Sequence, residues 1–118
     1  MATPHGLTQL RDVLREFAAE RDWDQFHSPK NLASALSVEA AELLEIFQWL
    51  SEPESRHLSP EQLTRARDEM ADVLNYLVRL ADKLDVDLLD AARDKVRKNA
   101  EKYPADKARG SARKYSEL

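Results

Sequence analysis

Four acidic residues stand in two pairs, each pair with two residues between its members, in segments that carry a helical pattern of leucines. Glu39 and Glu42 lie in SVEAAELLEIFQWL, and Glu69 and Asp72 lie in RDEMADVLNYL. Because an α-helix turns about 100° per residue, side chains three or four positions apart share one face. Each pair therefore projects from one side of its helix, and paired carboxylates of this kind can bind a cation.

The first pair interrupts a stripe that should be apolar. At helical spacing the stripe consists of Leu32, Leu36, Leu43, Ile46 and Leu50. Glu39 falls near its middle and Glu42 falls on its flank. An ionised carboxylate on a core-facing surface is costly unless it is paired or coordinates a cation. The pattern therefore predicts a buried or half-buried metal site.

The second pair is less anomalous, because it lies at the border of an apolar face and not within it. That face comprises Ala66, Met70, Val73, Leu77, Leu80 and Leu84. Glu69 stands at its edge and Asp72 beyond Glu69. The alternative interpretation is that all four acids are solvated helix carboxylates, because charged residues make up 34% of the chain.

The residue types favour a hard cation such as Mg²⁺. Mg²⁺ prefers oxygen ligands, and the chain contains no cysteine that could supply thiolate ligands, thiol nucleophiles or disulfides. A ferritin-like di-iron site would need Glu-x-x-His on its helices. The three histidines, His5, His27 and His57, lie outside both acidic segments. The pattern therefore disfavours that kind of site.

Composition predicts one domain over residues 1–118. A helical protomer of this size has a modest core, which favours a homo-oligomer. The chain has no long apolar run and no basic-then-apolar leader, so we expect a cytoplasmic protein without a membrane partner. A net charge of −4 disfavours binding to a nucleic acid polymer.

Charge is distributed unevenly along the chain. Residues 31–92 contain 13 acidic and 5 basic side chains, whereas residues 93–115 contain 3 acidic and 9 basic ones. An acidic patch that holds divalent cations, beside a basic segment that meets phosphate oxygens, suits a phosphoanhydride substrate. The alternative is a basic helix face followed by a solvated tail.

Helical periodicity throughout, without strand-like alternation, predicts an all-α protein of four helices. The predicted spans are Thr8–Glu20, Pro29–Trp49, Pro60–Leu84 and Asp87–Tyr103. Ser28-Pro29 and Ser59-Pro60 are typical helix starts, and the polar stretch SEPESRHLSP predicts a loop. The second and third helices should pack antiparallel with their acidic pairs facing each other. Residues 104–118 form a polar tail that is mobile unless it docks.

The paired acids, separated by a gap of 26 residues, resemble those of the MazG-like all-α nucleoside triphosphate pyrophosphohydrolases, and most closely the dCTP pyrophosphatase branch. The resemblance covers roughly residues 16–118. It is carried by RDWDQFHSPKNLA, EAAELLEIFQW, DEMADVLNYLV, the K-x-x-x-N-x-x-K-Y-P run from Lys95 to Pro104, and RGSARKYSEL. It implies that Mg²⁺ ions grip a triphosphate while water attacks the α-phosphorus, which yields a nucleoside monophosphate and pyrophosphate.

The resemblance also assigns roles to residues. Glu39, Glu42, Glu69 and Asp72 become the metal ligands, and one glutamate, Glu42 or Glu39, orients or deprotonates the attacking water. The residues implied in substrate binding are Trp23, His27, Trp49, Tyr76, Lys95, Asn99 and Tyr103. Lys95 and Asn99 would contact phosphate and sugar, and a tryptophan would stack on the base. The family further implies a dimer of dimers with sites near subunit boundaries.

Three functions are compatible with the sequence. The first is hydrolysis of dCTP or its 5-modified relatives, as a nucleotide-pool sanitising reaction. The second is hydrolysis of dUTP or of a broad set of non-standard triphosphates. The third is a non-catalytic helical assembly module, in which the acids form interhelical ion pairs and the aromatic residues form an oligomer interface.

Overall fold

The structure is a computed structural model that describes residues 3–118. Within that range it contains six α-helices, two short 3₁₀ turns and no strand, which confirms the predicted all-α class. The helices are α1 Leu7–Glu20, α2 Pro29–Phe47, α3 Glu52–Ser55, α4 Pro60–Lys83, α5 Leu88–Lys102 and α6 Ala105–Ala108. The 3₁₀ turns are Asp24–Phe26 and Tyr115–Glu117. None of the helices in residues 3–118 is long and apolar enough to cross a membrane.

The starts of the two long central helices follow from their capping residues. The Ser28 hydroxyl accepts a hydrogen bond from the backbone N–H of Asn31 at 3.1 Å. Ser59 and Gln62 form a reciprocal capping box, in which each side chain bonds the other residue's backbone N–H. These bonds satisfy N–H groups that the first turn leaves without partners. The sequence prediction of both helix starts is confirmed.

The segment between these helices was predicted as a loop, and that prediction is wrong for four of its residues. Ser51 and Glu54 form a second capping box, which nucleates the single turn α3. The serine and the glutamate three residues later are a recognisable helix-start signal. Pro53 does not prevent this turn, because a proline in the first turn of a helix removes only an N–H that has no partner within the helix.

Helices α2 and α4 pack against each other antiparallel, as the sequence predicts. Two sets of contacts establish the direction. Asp24, just before α2, forms ion pairs with Arg79 and Lys83 near the end of α4. Glu39, midway along α2, lies beside Glu69 and Asp72, midway along α4. The start of α2 therefore lies at the end of α4.

The chain divides into two compact units, and the division falls between Val86 and Asp87. The first unit contains α1, α2, α3 and α4, and the second contains α5, α6 and the last 3₁₀ turn. Within the second unit, the rings of Tyr103 and Tyr115 meet edge to face at 6.1 Å, so the C-terminal segment contacts the end of α5.

The core of the first unit is small. Leu32 and Ile46 of α2 are buried, as are Ala18 of α1 and Ala66, Val78 and Ala81 of α4. The predicted α2 stripe is confirmed, because its remaining leucines are half-buried. The predicted α4 face is wrong at two positions, since Met70 is 51% exposed and Leu84 is 55% exposed. Burial on α4 is shifted toward the side that meets both α1 and α2.

An ion pair between the exposed Arg15 and the largely buried Asp82 side chain ties α1 to α4. Arg15 donates from Nε to Asp82 Oδ2 at 2.6 Å, and its Nη2 bonds the other Asp82 oxygen. Arg79 Nη1 lies 3.6 Å from Asp82 as well. The Asp82 side chain is only 10% exposed. The hydrogen bond from Arg15 is the main cause that holds the pKa of Asp82 below its usual range.

We predict that Asp82→Asn lowers the free energy of unfolding by about 2 kcal/mol, because it leaves the buried Arg79 and the partner Arg15 short of a counter-charge. A carboxylate with a lowered pKa stabilises the fold above its unfolded pKa of about 3.9, and that contribution disappears as the pH falls. Urea titrations at pH 7 and pH 3 should therefore show a large difference between wild type and variant at pH 7 and a smaller one at pH 3.

Glu52→Gln is the matched control for the Asp82 variant. It removes an ion pair with Arg56 whose two side chains are 85% and 69% exposed, so less than about 0.5 kcal/mol should be lost. Equal destabilisation by the two variants would contradict the role assigned to Asp82.

Candidate metal centre

Three of the four predicted acids come together where α2 and α4 face each other. Glu39, Glu69 and Asp72 each offer one carboxylate oxygen, and these oxygens all lie within 4.8 Å of one another. Glu39 and Glu69 are half-buried, whereas Asp72 is exposed. The helix pairing therefore creates a cluster of three carboxylates that opens to solvent on the Asp72 side.

Two oxygens in this cluster are buried without a hydrogen-bond partner. They are Oε2 of Glu39 and Oε2 of Glu69. A buried polar atom of a protein is normally paired, and an unpaired carboxylate oxygen costs more than a neutral group does. Among residues 3–118 no basic side chain forms an ion pair with the cluster, and a bound cation would supply the missing counter-charge.

The pKa of Glu39 reflects the same crowding. Its contact with Glu69 is the largest cause, followed by burial and by the neighbouring Glu42 and Asp72, and together they raise the pKa of Glu39 to about 7. Like charges at close range and loss of hydration both favour the protonated acid. Three acids that repel one another in a half-buried site are typical of residues that share a cation.

Glu42 does not belong to the three-oxygen cluster. It is half-buried on α2, one turn beyond Glu39, and is close enough to raise the pKa of Glu39. The structure therefore places Glu42 beside the cluster and not within it. Glu45, the next acid on α2, is exposed and makes no contribution to the pKa of Glu39.

The donor set fits a hard divalent cation. Carboxylate oxygens are the ligands that Mg²⁺ prefers, and Mg²⁺ usually retains several water molecules beside one or two protein carboxylates and substrate phosphates. Three convergent carboxylates with one open side match that chemistry. The cluster includes no histidine, which disfavours a zinc or di-iron site.

The four predicted substrate residues of the first unit lie at different levels of exposure. Trp23 is 45% exposed and meets Phe17 edge to face at 5.8 Å, while Trp49, just beyond α2, is 86% exposed. Tyr76 and His27 are half-buried. Tyr76 follows Asp72 by one turn of α4, so these two side chains leave the helix on the same face.

The remaining predicted substrate residues belong to the second unit. Lys95, Asn99 and Tyr103 follow one another at intervals of four, so they form one row along α5 and its end. Lys95 and Asn99 are exposed, and Tyr103 is 37% exposed. The row places a cation, an amide and an aromatic ring side by side.

Arg79 is a residue that the sequence analysis missed. It is 5% exposed, and its guanidinium contacts both Asp24 and His27. One feature of the sequence could have indicated that Arg79 is buried: Arg79 and Asp82 form an Arg-x-x-Asp pair within an apolar run. That spacing is also common on solvated helices. Its burial follows from the turn that carries Asp24, which periodicity alone does not position.

The sequence of this chain is similar to those of known proteins. Residues 34–118 match the MazG-like family. The human protein "dCTP pyrophosphatase 1" is 48% identical over 114 residues, which cover 95% of this chain and 67% of the human one. The mouse protein of the same name is 46% identical over the same shares. The residues that match the family include both acidic segments.

A solved structure agrees with the fold. It is a pyrophosphatase from Archaeoglobus fulgidus, with a TM-score of 0.79 and 42% sequence identity, and the match covers 88% of this chain and 97% of the archaeal one. The sequence match, the helical architecture and the acidic cluster therefore lead to the same conclusion. This chain belongs to the MazG-like family.

Proposed function

We propose that this protein is a metal-dependent nucleoside triphosphate pyrophosphohydrolase that converts dCTP to dCMP and pyrophosphate. The observation that carries the proposal is the cluster of Glu39, Glu69 and Asp72, with two buried oxygens that have no partner. The names of the human and mouse relatives support the reaction and the substrate. The archaeal pyrophosphatase supports the reaction class.

Mg²⁺ is the proposed cofactor, held by Glu39, Glu69 and Asp72 with Glu42 as the fourth acid. When bound, it would polarise phosphoryl oxygens and lower the pKa of coordinated water. The carboxylates of the chain would fix the position of that positive charge between α2 and α4. The half-burial of Glu39 and Glu69 would strengthen their interaction with it, because water screens the charges less.

Glu42 is the proposed general base. It stands one turn from Glu39 and outside the three-oxygen cluster, so of the four acids it is the one least committed to the cation and the best placed to accept a proton from water. A base must come within hydrogen-bond reach of the proton that it removes. Glu39 is less suited, because its own oxygen lies among the ligand atoms.

The residues outside the acidic centre would bind the remainder of the nucleotide. We assign Trp23, His27, Trp49 and Tyr76 to the base, with an exposed indole available to stack on a pyrimidine. Lys95 and Asn99 are assigned to phosphate and sugar, and Tyr103 extends their row. A cytoplasmic location, where such triphosphates occur, stays a prediction.

A second copy of this chain is the proposed partner, in a dimer of dimers. Three large apolar side chains of α4, Leu63, Met70 and Leu74, are 57%, 51% and 41% exposed and lie at intervals of seven and four. They form an apolar stripe on a helix whose other side packs on α1 and α2. A stripe of this kind on an isolated protomer is typical of a subunit interface.

Replacing the acids of the cluster should abolish activity. We expect Glu39→Gln and Glu69→Gln each to lower kcat/KM for dCTP at least a hundredfold, because each removes a charged ligand while keeping the shape of the side chain. The measurement is magnesium-dependent release of pyrophosphate, with orthophosphate measured in parallel. A panel with dCTP, 5-methyl-dCTP, dUTP and other triphosphates would define the base preference.

Glu45→Gln is the matched control, since Glu45 is an exposed acid on the same helix. It should keep activity within about twofold of wild type. Full activity in Glu39→Gln or Glu69→Gln would refute the metal assignment. Failure of the whole panel to be cleaved, together with no heat of binding for Mg²⁺ and a nonhydrolysable triphosphate, would favour the non-catalytic module.

Stability of the metal-free protein should depend on Glu39. An acid whose folded pKa lies near 7, above an unfolded value near 4.5, stabilises the fold at low pH and loses that contribution as the pH rises through 7. In EDTA, wild type should therefore melt at a lower temperature at pH 8 than Glu39→Gln does, and the two should converge at pH 5. Mg²⁺ should raise the melting temperature of wild type at pH 8 and leave that of Glu39→Gln nearly unchanged.

The opposite result would be informative. If Glu39→Gln were less stable than wild type in EDTA at pH 8, the carboxylate would have a stabilising partner within the protein, and the argument for a cation would fail.

The oligomer proposal is tested by placing a charge on the α4 stripe. Leu63→Glu should shift the molecular mass measured by light scattering from about four chains toward one chain of 13.5 kDa, because it buries an unpaired carboxylate in the interface. Thr64→Glu adds the same charge at the neighbouring exposed position and should leave the mass unchanged. A wild-type protein that is monomeric at assay concentration would contradict the proposal.

A further inference from the structure

A buried arginine lies two helical turns beyond Asp72 on the same face of α4. Asp72, Tyr76 and Arg79 are separated by four and three residues, so they form a row of about 10 Å along the helix axis. Arg79 is 5% exposed. The row begins at the acidic cluster and ends at a residue with no part in metal binding.

The guanidinium of Arg79 is aimed at one atom of His27. Its Nε lies 3.3 Å and its Nη2 lies 3.1 Å from His27 Nδ1. A guanidinium carries only donors and stays protonated. Nδ1 must therefore be the acceptor, which makes the imidazole neutral and leaves its single proton on Nε2. No other residue within 3–118 is hydrogen-bonded to Nε2, so this N–H is free to donate.

Arg79 is itself held in place by acids on two sides. Its Nη2 donates to Asp24 Oδ1 at 3.0 Å, and its Nη1 lies 3.6 Å from Asp82. Lys83 also bonds Asp24, and Arg15 also bonds Asp82. These contacts fix the plane of the guanidinium and compensate its charge.

Several groups act on the ionisation of His27. Burial is the main cause that lowers the pKa of His27, and the positive charge of Arg79 lowers it further. Lys83 acts in the same direction and Asp24 in the opposite one. The imidazole is therefore neutral at neutral pH, in agreement with the hydrogen-bond geometry.

We propose that Arg79 is a positioning residue that holds His27 as a neutral imidazole with its Nε2–H presented to a hydrogen-bond acceptor on the substrate. The identity of that substrate rests on the proposed function. A nucleotide whose phosphates lie at the acidic cluster, and which extends along the row past Tyr76, would bring its base toward His27. Pyrimidines carry such acceptors in the ring nitrogen and the carbonyl oxygen.

The first test needs no substrate. In the 118-residue chain labelled with ¹⁵N, NMR should show that His27 carries its proton on Nε2 and has an unprotonated Nδ1. The pKa of His27 should rise in Arg79→Met, because the variant removes a neighbouring positive charge. The exposed His5 and His57 are internal references whose signals should not move. A proton on Nδ1, or an unchanged pKa in the variant, would overturn the proposal.

The second test is a double-mutant cycle in the pyrophosphate assay. His27→Ala and Arg79→Met should each raise KM for dCTP about tenfold and change kcat less than threefold, as expected for one hydrogen bond in substrate binding. The double variant should be no worse than His27→Ala, because Arg79 acts only through His27. A KM that rises about a hundredfold in the double variant would show independent roles and refute the positioning role.

A conservative variant guards against misfolding of Arg79→Met. Arg79→Lys keeps the charge and can still donate a hydrogen bond to His27 Nδ1, so we expect a KM between those of wild type and His27→Ala. A cycle built on this variant decides additivity in the same way. If no variant released pyrophosphate, wild type included, the proposed function would fail. The NMR measurements would still decide whether Arg79 sets the state of His27.

Discussion

The electrostatic repulsion among Glu39, Glu69 and Asp72 is the constraint around which the first unit is built. Each offers one oxygen within 4.8 Å of the others, and Glu39 and Glu69 each have a buried oxygen without a hydrogen-bond partner in residues 3–118. Acids that were free to move would separate, because like charges repel. They stay together because the helices that carry them are fixed by packing elsewhere. The cluster is thus imposed by the fold, and it costs stability in the absence of a cation.

The fixed position of these helices has identifiable causes. Ser28 and Ser59 set where α2 and α4 begin, so the position of each acidic segment is defined from the start of its own helix. Both helices bury apolar side chains, among them Leu32 of α2 and Ala66 of α4. At the Ser28 end of the pair, the ion pairs of Asp24 with Arg79 and Lys83 tie the turn before α2 to the end of α4. The acids lie between two anchored ends, and a shift of one turn would separate them.

How much the sequence could predict depends on whether a feature is local. Glu39 could be identified because it interrupts its own helix's apolar stripe, and the caps could be identified because donor and acceptor lie three residues apart. The membership of Glu69 and Asp72 in one cluster with Glu39 required the antiparallel pairing, which the short connection suggested. Met70 was misassigned to the core because periodicity identifies an apolar face without saying whether the same chain covers it.

Arg79 and the acidic cluster are opposite solutions to the same problem, the burial of charge. Arg79 is more deeply buried than any of the acids, yet Asp24, Asp82 and His27 satisfy its donors from within the chain. Glu39 and Glu69 are less buried, yet each retains an oxygen without a partner. The chain supplies counter-charges to Arg79 near the end of α4, but its described residues supply none to the acidic cluster two turns away. Selection for stability alone would favour pairing both sites, so the unpaired one is where a ligand contributes to the structure.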